Sequence, residues 1–257
     1  MAVSVVLLHG IRTSATMWRA QVEALEAAGI EARPVDLPGH GTRLGERFTL
    51  DGAMDAVDAA VADLAGPVIL CGLSLGGYLG LHWTADRGQG RIDGLIAAGC
   101  GTTPRGAALA GYRAIADAIH LLPDRGAWLN QFMIDRFIPV AGREDVTRGG
   151  VALDVMGDGL RAMAAVRPIE AIGRIRVPLL FVNGRYDHFR MEERRYLRAA
   201  QARQGVPASW SQLVIVPGAS HLVSLVRPDE FSSILVTAAL AAADRASVPL
   251  AGATRGW

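Results

Sequence analysis

Three residues whose types together perform acyl transfer stand after three separate apolar segments of this sequence: Ser74, Asp187 and His221. A serine hydroxyl is a weak nucleophile at neutral pH. It needs a base within hydrogen-bond reach and a third group that holds that base in one tautomer, and histidine with a carboxylate meets both needs. Ser74 lies in Gly72-Leu73-Ser74-Leu75-Gly76-Gly77, directly after the apolar run Val68-Ile69-Leu70-Cys71. That pattern predicts strand, sharp elbow and helix, with Gly72 and Gly76 giving strand and helix room to approach. Asp187 comes five residues after Val182, and His221 five residues after Val216. Strands of a parallel sheet all end on one side, so three such loops meet at one mouth. Each residue alone has a plainer reading: a glycine-rich turn, an aspartate bonded to its own backbone, a histidine at a helix start. Their coincidence, in the chain order Ser, Asp, His, is what points to catalysis.

The chemistry also requires donors for the oxygen anion that develops on an attacked carbonyl. Two backbone N–H groups are expected to supply them: that of Leu75, at the amino end of the elbow helix, and that of Ile11, in the turn after His9-Gly10. Arg12 adjoins this turn and is able to contact a substrate carboxylate or the helices above, a solvated arginine being the plainer reading. The other histidines are expected to serve elsewhere. His188 directly follows the acid, His9 braces the turn at Gly10, and His40 bonds locally in its proline-glycine loop. His82 sits two turns into the elbow helix, and His120 lies in the helical region that follows.

The elements that must hold these residues alternate. Apolar runs at Val3 to Leu8, Glu31 to Val35, Pro67 to Cys71, Leu95 to Cys100, Val177 to Val182 and Ser211 to Val216 read as strands, mostly buried on both faces. Helices are expected from about Thr16 to Ala28, over Ala53 to Leu64, after the elbow, from Met191 to Gln204 and over Phe231 to Ala243. Strands alternating with helices specify an α/β fold: a doubly wound, mostly parallel sheet of about six strands. One stretch breaks the rhythm. From about residue 103 to 174 there are helical patterns at Tyr112 to Leu122, Ala127 to Phe137 and Ala152 to Val166, and no strand. So long a crossover reads as an inserted helical lid, residues 103–174, within a single domain whose core is 1–102 and 175–257. Trp128, Phe132 and Met133 on its apolar side are the expected substrate contacts. Residues 244–257 read as a loose tail.

Bulk composition narrows the function classes. The 257 residues carry 26 basic and 25 acidic side chains, a net charge of +1, so no broad field favours nucleic acid or an anionic membrane. No apolar run reaches the roughly 20 residues of a membrane helix. Asp51, Asp55 and Asp58 read as a solvated helix face rather than a metal site. No cofactor or metal is expected. Cys71 and Cys100, without a signal-peptide pattern before them, are expected to be free thiols of a cytoplasmic protein. The sequence leaves the oligomeric state open.

With these residues assembled, the chain resembles the α/β-hydrolase superfamily over essentially its whole length. The resemblance rests on His9-Gly10, Asp36-Leu37-Pro38-Gly39-His40-Gly41, the Ser74 elbow, Gly184-Arg185-Tyr186-Asp187 and Gly218-Ala219-Ser220-His221. It implies a serine hydrolase with Ser74 as nucleophile, His221 as base, Asp187 as its orienter and the amides of Ile11 and Leu75 as oxyanion hole. The short start before His9 is similar to the compact plant methylesterase and hydroxynitrile-lyase group, but Gly10 and Leu222 stand where the lyases carry threonine and lysine. Serine at 74, where haloalkane dehalogenases and epoxide hydrolases use aspartate, argues against those activities. The string around Ser74 is similar to that of enol-lactonases. The resemblance therefore implies hydrolysis of a small or medium carboxylic ester; a lactone or a diketone carbon-carbon bond is the alternative, and a ligand sensor without turnover the alternative of another class.

Overall fold

The computed structural model of the chain describes residues 2–247. Six strands, β1 (Ser4–Leu8), β2 (Glu31–Val35), β3 (Val68–Leu73), β4 (Gly94–Ala98), β5 (Leu179–Gly184) and β6 (Ser211–Val216), form one sheet in the order β2-β1-β3-β4-β5-β6. All neighbours run parallel. The strand sequences explain why the sheet lies inside. Val6, Leu8, Leu70, Leu95, Ala97, Leu179 and Phe181 point to one core layer, and the residues between them, Val5, Leu7, Ile69, Cys71, Ile96, Leu180 and Val182, to the other. Both alternate sets are apolar because both faces are covered. Pro34, which has no N–H to donate, sits in β2 at the sheet edge.

Helices α1 (Arg19–Ala27), α2 (Leu50–Val61) and α3 (Leu75–Asp86) follow β1, β2 and β3. α2 is capped by Thr49, whose side chain accepts from the Gly52 N–H. Asp51 and Asp55 are on its exposed face, while Asp58 accepts from Trp83 Nε1, Arg87 and Arg91, which ties α2 to α3. Between β4 and β5 lie α4 (Gly106–His120), α5 (Ala127–Phe137), α6 (Val140–Thr147), α7 (Met156–Ala165) and α8 (Pro168–Arg174). Two of these, α6 and α8, have no counterpart in the sequence pattern. α6 has too few apolar residues for a period, and it is held by distant partners: Arg19 Nε donates to Asp145 Oδ1 at 2.7 Å and Thr16 Oγ1 to the Asp145 carbonyl at 2.6 Å. α8 opens on Pro168, a favoured first helical residue, and packs against α3 and the following α9 (Glu193–Gln201).

Several boundaries differ from the sequence pattern, three of them near the strand ends and the closing helix. β5 continues through Asn183 and Gly184, because these pair in register with Ile215 and Val216 of β6. Gly94–Ala98 ends before Gly99, whose φ of 59° leaves the extended region. After the short α10 (Val223–Val226), the closing helix α11 runs from Pro228 to Ser247, so Asp244–Ser247 of the expected tail are helical; the rest of that tail lies outside the described residues. Cys71 and Cys100 are buried and unbridged.

Candidate active site

The carboxyl ends of β1, β3, β4, β5 and β6 are neighbours along one edge of the sheet, and the residues that follow them converge. Ser74 sits between β3 and α3 with φ 54° and ψ −113°, a backbone conformation that side chains rarely adopt. The glycines around it are needed for close approach: a β-carbon on Gly72 would overlap the Gly76 carbonyl, and one on Gly76 the Leu8 carbonyl. The Ser74 N–H donates to the Ala98 carbonyl at 2.8 Å, which locks the elbow to the end of β4. The next residue, Gly99, gives the histidine and the acid their place. A β-carbon there would stand 3.2 Å from His221 Cε1 and 3.4 Å from Asp187 Oδ2.

Asp187 and His221 are joined directly. His221 Nδ1 and Asp187 Oδ1 are 3.0 Å apart, and since an ionised carboxylate only accepts, the proton lies on Nδ1 and the Nε2 lone pair is left free. The same Oδ1 accepts from the Phe189 N–H at 2.8 Å. Burial of the Asp187 side chain by itself would raise its carboxyl, but the His221 hydrogen bond and charge, together with the Phe189 N–H, hold it below the ordinary carboxylate value. The Phe189 ring lies 4.7 Å from the His221 ring and His188 5.3 Å from it, so the imidazole is walled as well as bonded. Ser74 is tied by its N–H to Ala98, and the following Gly99 packs against this pair; among the described residues no hydrogen bond joins the Ser74 hydroxyl to His221.

The turn after β1 completes the mouth. A β-carbon on Gly10 would lie 3.7 Å from Ser74 Cβ, so the turn that continues into Ile11 starts against the serine. His9 supports the turn. Its Nδ1 donates to the Gly10 carbonyl at 2.8 Å and its Nε2 accepts from the Leu37 N–H at 3.1 Å. His40 Nδ1 donates to Pro38 O at 2.9 Å, and its Nε2 accepts from the Arg12 N–H at 3.3 Å. Both rings are buried, and burial pushes His9 down to about 3, with His40 adding to the effect. Two neutral imidazoles thus hold the turn by fixed tautomers. The sequence motif contained both but did not reveal this pairing.

Arg12 and the insert helices line a cavity of about 80 Å³ with Tyr112, Ile115, Ile119, Leu153 and Met156 among its walls. Trp128, Phe132 and Met133 are not there: they are 71%, 50% and 48% exposed, and Trp128 stacks on Phe132 at 5.7 Å. Tyr112, which helical spacing places in the insert without further distinction, instead meets Phe189 edge-on at 5.9 Å. His82 faces Asp86 at 3.5 Å, far down α3 from the elbow. Among the described residues no group of three or more His, Cys, Asp or Glu is arranged to hold a metal ion. No described helix is long and apolar enough to cross a membrane.

A model of the alpha/beta hydrolase family matches residues 5–234. The chain belongs to that family. This alpha/beta hydrolase is 28% identical to a pimeloyl-[acyl-carrier protein] methyl ester esterase of Stenotrophomonas maltophilia over 257 residues, covering 93% of this chain and 94% of the relative. Its fold is similar to that of a thermophilic esterase from Thermogutta terrifontis, with a TM-score of 0.70 at 23% identity over 91% and 88% of the two chains. It is similar also to the enol-lactonase from Burkholderia xenovorans LB400, with a TM-score of 0.63 at 23% identity over 92% and 91%. The hydrolase's relatives are thus esterase-like.

Proposed function

We propose that this hydrolase cleaves carboxylic esters of small or medium acyl size through an acyl intermediate on Ser74. His221 Nε2 takes the proton as Ser74 Oγ attacks the ester carbonyl, and Asp187 steadies the imidazolium that forms. The oxygen anion of the tetrahedral intermediate is met by the N–H groups of Ile11 and Leu75, each such donor contributing about 3 kcal/mol to the transition state. His221 then returns the proton to the alcohol as the carbon-oxygen bond breaks. Water, deprotonated by the same imidazole, releases the acid and restores the serine. Residues 103–174 act as a lid over the core formed by 1–102 and 175–257, and the wall of the Arg12 cavity receives the acyl chain.

The observation that carries this reading is the 3.0 Å Asp187–His221 bond at the strand ends, together with a serine held at φ 54° and tied by its N–H to the end of β4. The name of the 28% identical relative, a methyl ester esterase, supports the ester over other hydrolysable bonds. Turnover of a panel of p-nitrophenyl and methyl esters, lactones and diketones tests it. The esters are expected to react with a rapid burst of alcohol release followed by slower steady turnover. Preferential turnover of the lactones or diketones would overturn the ester assignment.

A further inference from the structure

One wall of the cavity between the Gly10 turn and the helices that follow β4 carries a cation that no acid among the described residues balances. Arg12 is held at φ 67° with its N–H bonded to His40, so its side chain leaves the turn in a fixed direction, into the wall shared with α4 and α7. Among the described residues no carboxylate pairs with its guanidinium, and its Nε is buried without a hydrogen-bond partner. The other basic groups of the same wall are accounted for. Arg125 donates to both oxygens of Asp154 at 2.8 and 2.9 Å, and His120 lies 3.8 Å from the same carboxylate. The remaining lining includes Ile115, Ile119, Leu153 and Met156, none of which solvates a charge. Burial draws the Arg12 guanidinium down from its ordinary value, with Tyr112 opposing, yet an arginine keeps its charge at neutral pH.

A cation half-buried in an apolar wall without a partner is costly, and a planar fork of donors is matched best by a carboxylate. We infer that Arg12 anchors a carboxylate of the substrate, so that the ester cleaved is a half-ester of a short dicarboxylic acid rather than a neutral ester. The inference rests on the Ser74 reading and adds the acyl group. Arg12 follows Ile11 directly, so anchor and oxyanion donor are adjacent along the chain. On the other side, Tyr112 of the cavity wall meets Phe189 at 5.9 Å and Phe189 meets His221 at 4.7 Å, so ring contacts link the cavity wall to the base. The volume of about 80 Å³ has room for a few water-sized groups, which suits a spacer of a few methylenes.

The test compares monomethyl glutarate with methyl pentanoate, which match in length and differ in the terminal carboxylate. Native enzyme is expected to favour the glutarate half-ester by about tenfold or more in kcat/KM. In Arg12→Gln the ratio is expected to fall towards one, and in Arg12→Lys to stay between the two. Binding is read separately, with glutarate added to the Ser74→Ala protein. Its thermal midpoint is expected to rise, and the rise to vanish when Arg12→Gln is added, with circular dichroism confirming that both variants fold. Native enzyme that turns over both esters equally, or a glutarate shift that survives Arg12→Gln, would overturn the anchor and leave the ester reading standing. If neither ester reacts and Ser74 resists acylating probes, the ester reading falls, and the glutarate shift still decides on Arg12.

Discussion

At the scale of single residues, the site works by fixing protons on particular nitrogens. Asp187 fixes His221 with Nδ1 protonated, and substitution by Asn would offer a donor in place of an acceptor and favour the wrong tautomer. Asp187→Asn is therefore expected to lower kcat by about three to four orders of magnitude with little change in the folded structure, measured by steady-state hydrolysis beside circular dichroism. The depressed Asp187 carboxyl stays ionised at neutral pH, and its contribution to stability is lost only as pH falls through its lowered native value. His9 behaves in the opposite chemical sense with the same outcome. Its unfolded value of 6.5 drops on burial to about 3, so between those limits the unfolded chain binds one proton more than the native. Stability must then fall as pH falls, by about 1.4 kcal/mol per pH unit from this group. Denaturant titrations from pH 6 to pH 4 are expected to show a slope smaller by about that amount in His9→Asn; an unchanged slope would mean that His9 is protonated in the native protein. Ser74, Asp187 and His221 stand out in the sequence as candidates because each follows a strand. The neutral His9–His40 support does not, since it depends on which ring nitrogen accepts from which backbone N–H across loops 28 residues apart.

At the scale of elements, the strands are over-determined and the insert is not. Every residue of β1, β3, β4 and β5 is buried, and their apolar runs announce that in the sequence. The helices between β4 and β5 are different. α4 has no buried residue among those described and α5 buries only Ile134. Spacing alone shows that α5 has an apolar side but not which way it faces, which is why Trp128, Phe132 and Met133 read as pocket residues and yet stand at the surface. α6 owes its place to Arg19 and Thr16, more than 120 residues earlier, and no local pattern encodes that. Few buried contacts make for low local stability. Amides of α4 and α5 are expected to exchange with solvent at least about tenfold faster than those of β1, β3 and β4 in native-state hydrogen exchange. Equal protection would contradict a loosely held pair of helices.

At the scale of the whole molecule, the fold's contribution is to bring five loops from distant parts of the chain to one edge. A parallel sheet does this because its strands all point the same way, and the order β2-β1-β3-β4-β5-β6 seats the Gly10 turn on one side of Ser74 and the Asp187 and His221 loops on the other. The parallel architecture could be read from six apolar runs alternating with helices. The strand order could not be read from those runs, because they contain no information on which neighbour each strand selects. The net charge of +1 leaves recognition to local groups, and Arg12, whose buried Nε has no hydrogen-bond partner among the described residues, is such a group. The central claim is that this arrangement activates Ser74, and a fluorophosphonate probe with peptide mapping tests it most directly. Native protein is expected to take up one probe on Ser74, Ser74→Ala none, and His221→Ala to react far more slowly. Native protein that stays unlabelled while a known serine esterase in the same mixture is fully labelled, or that carries the label at another residue, would contradict the account.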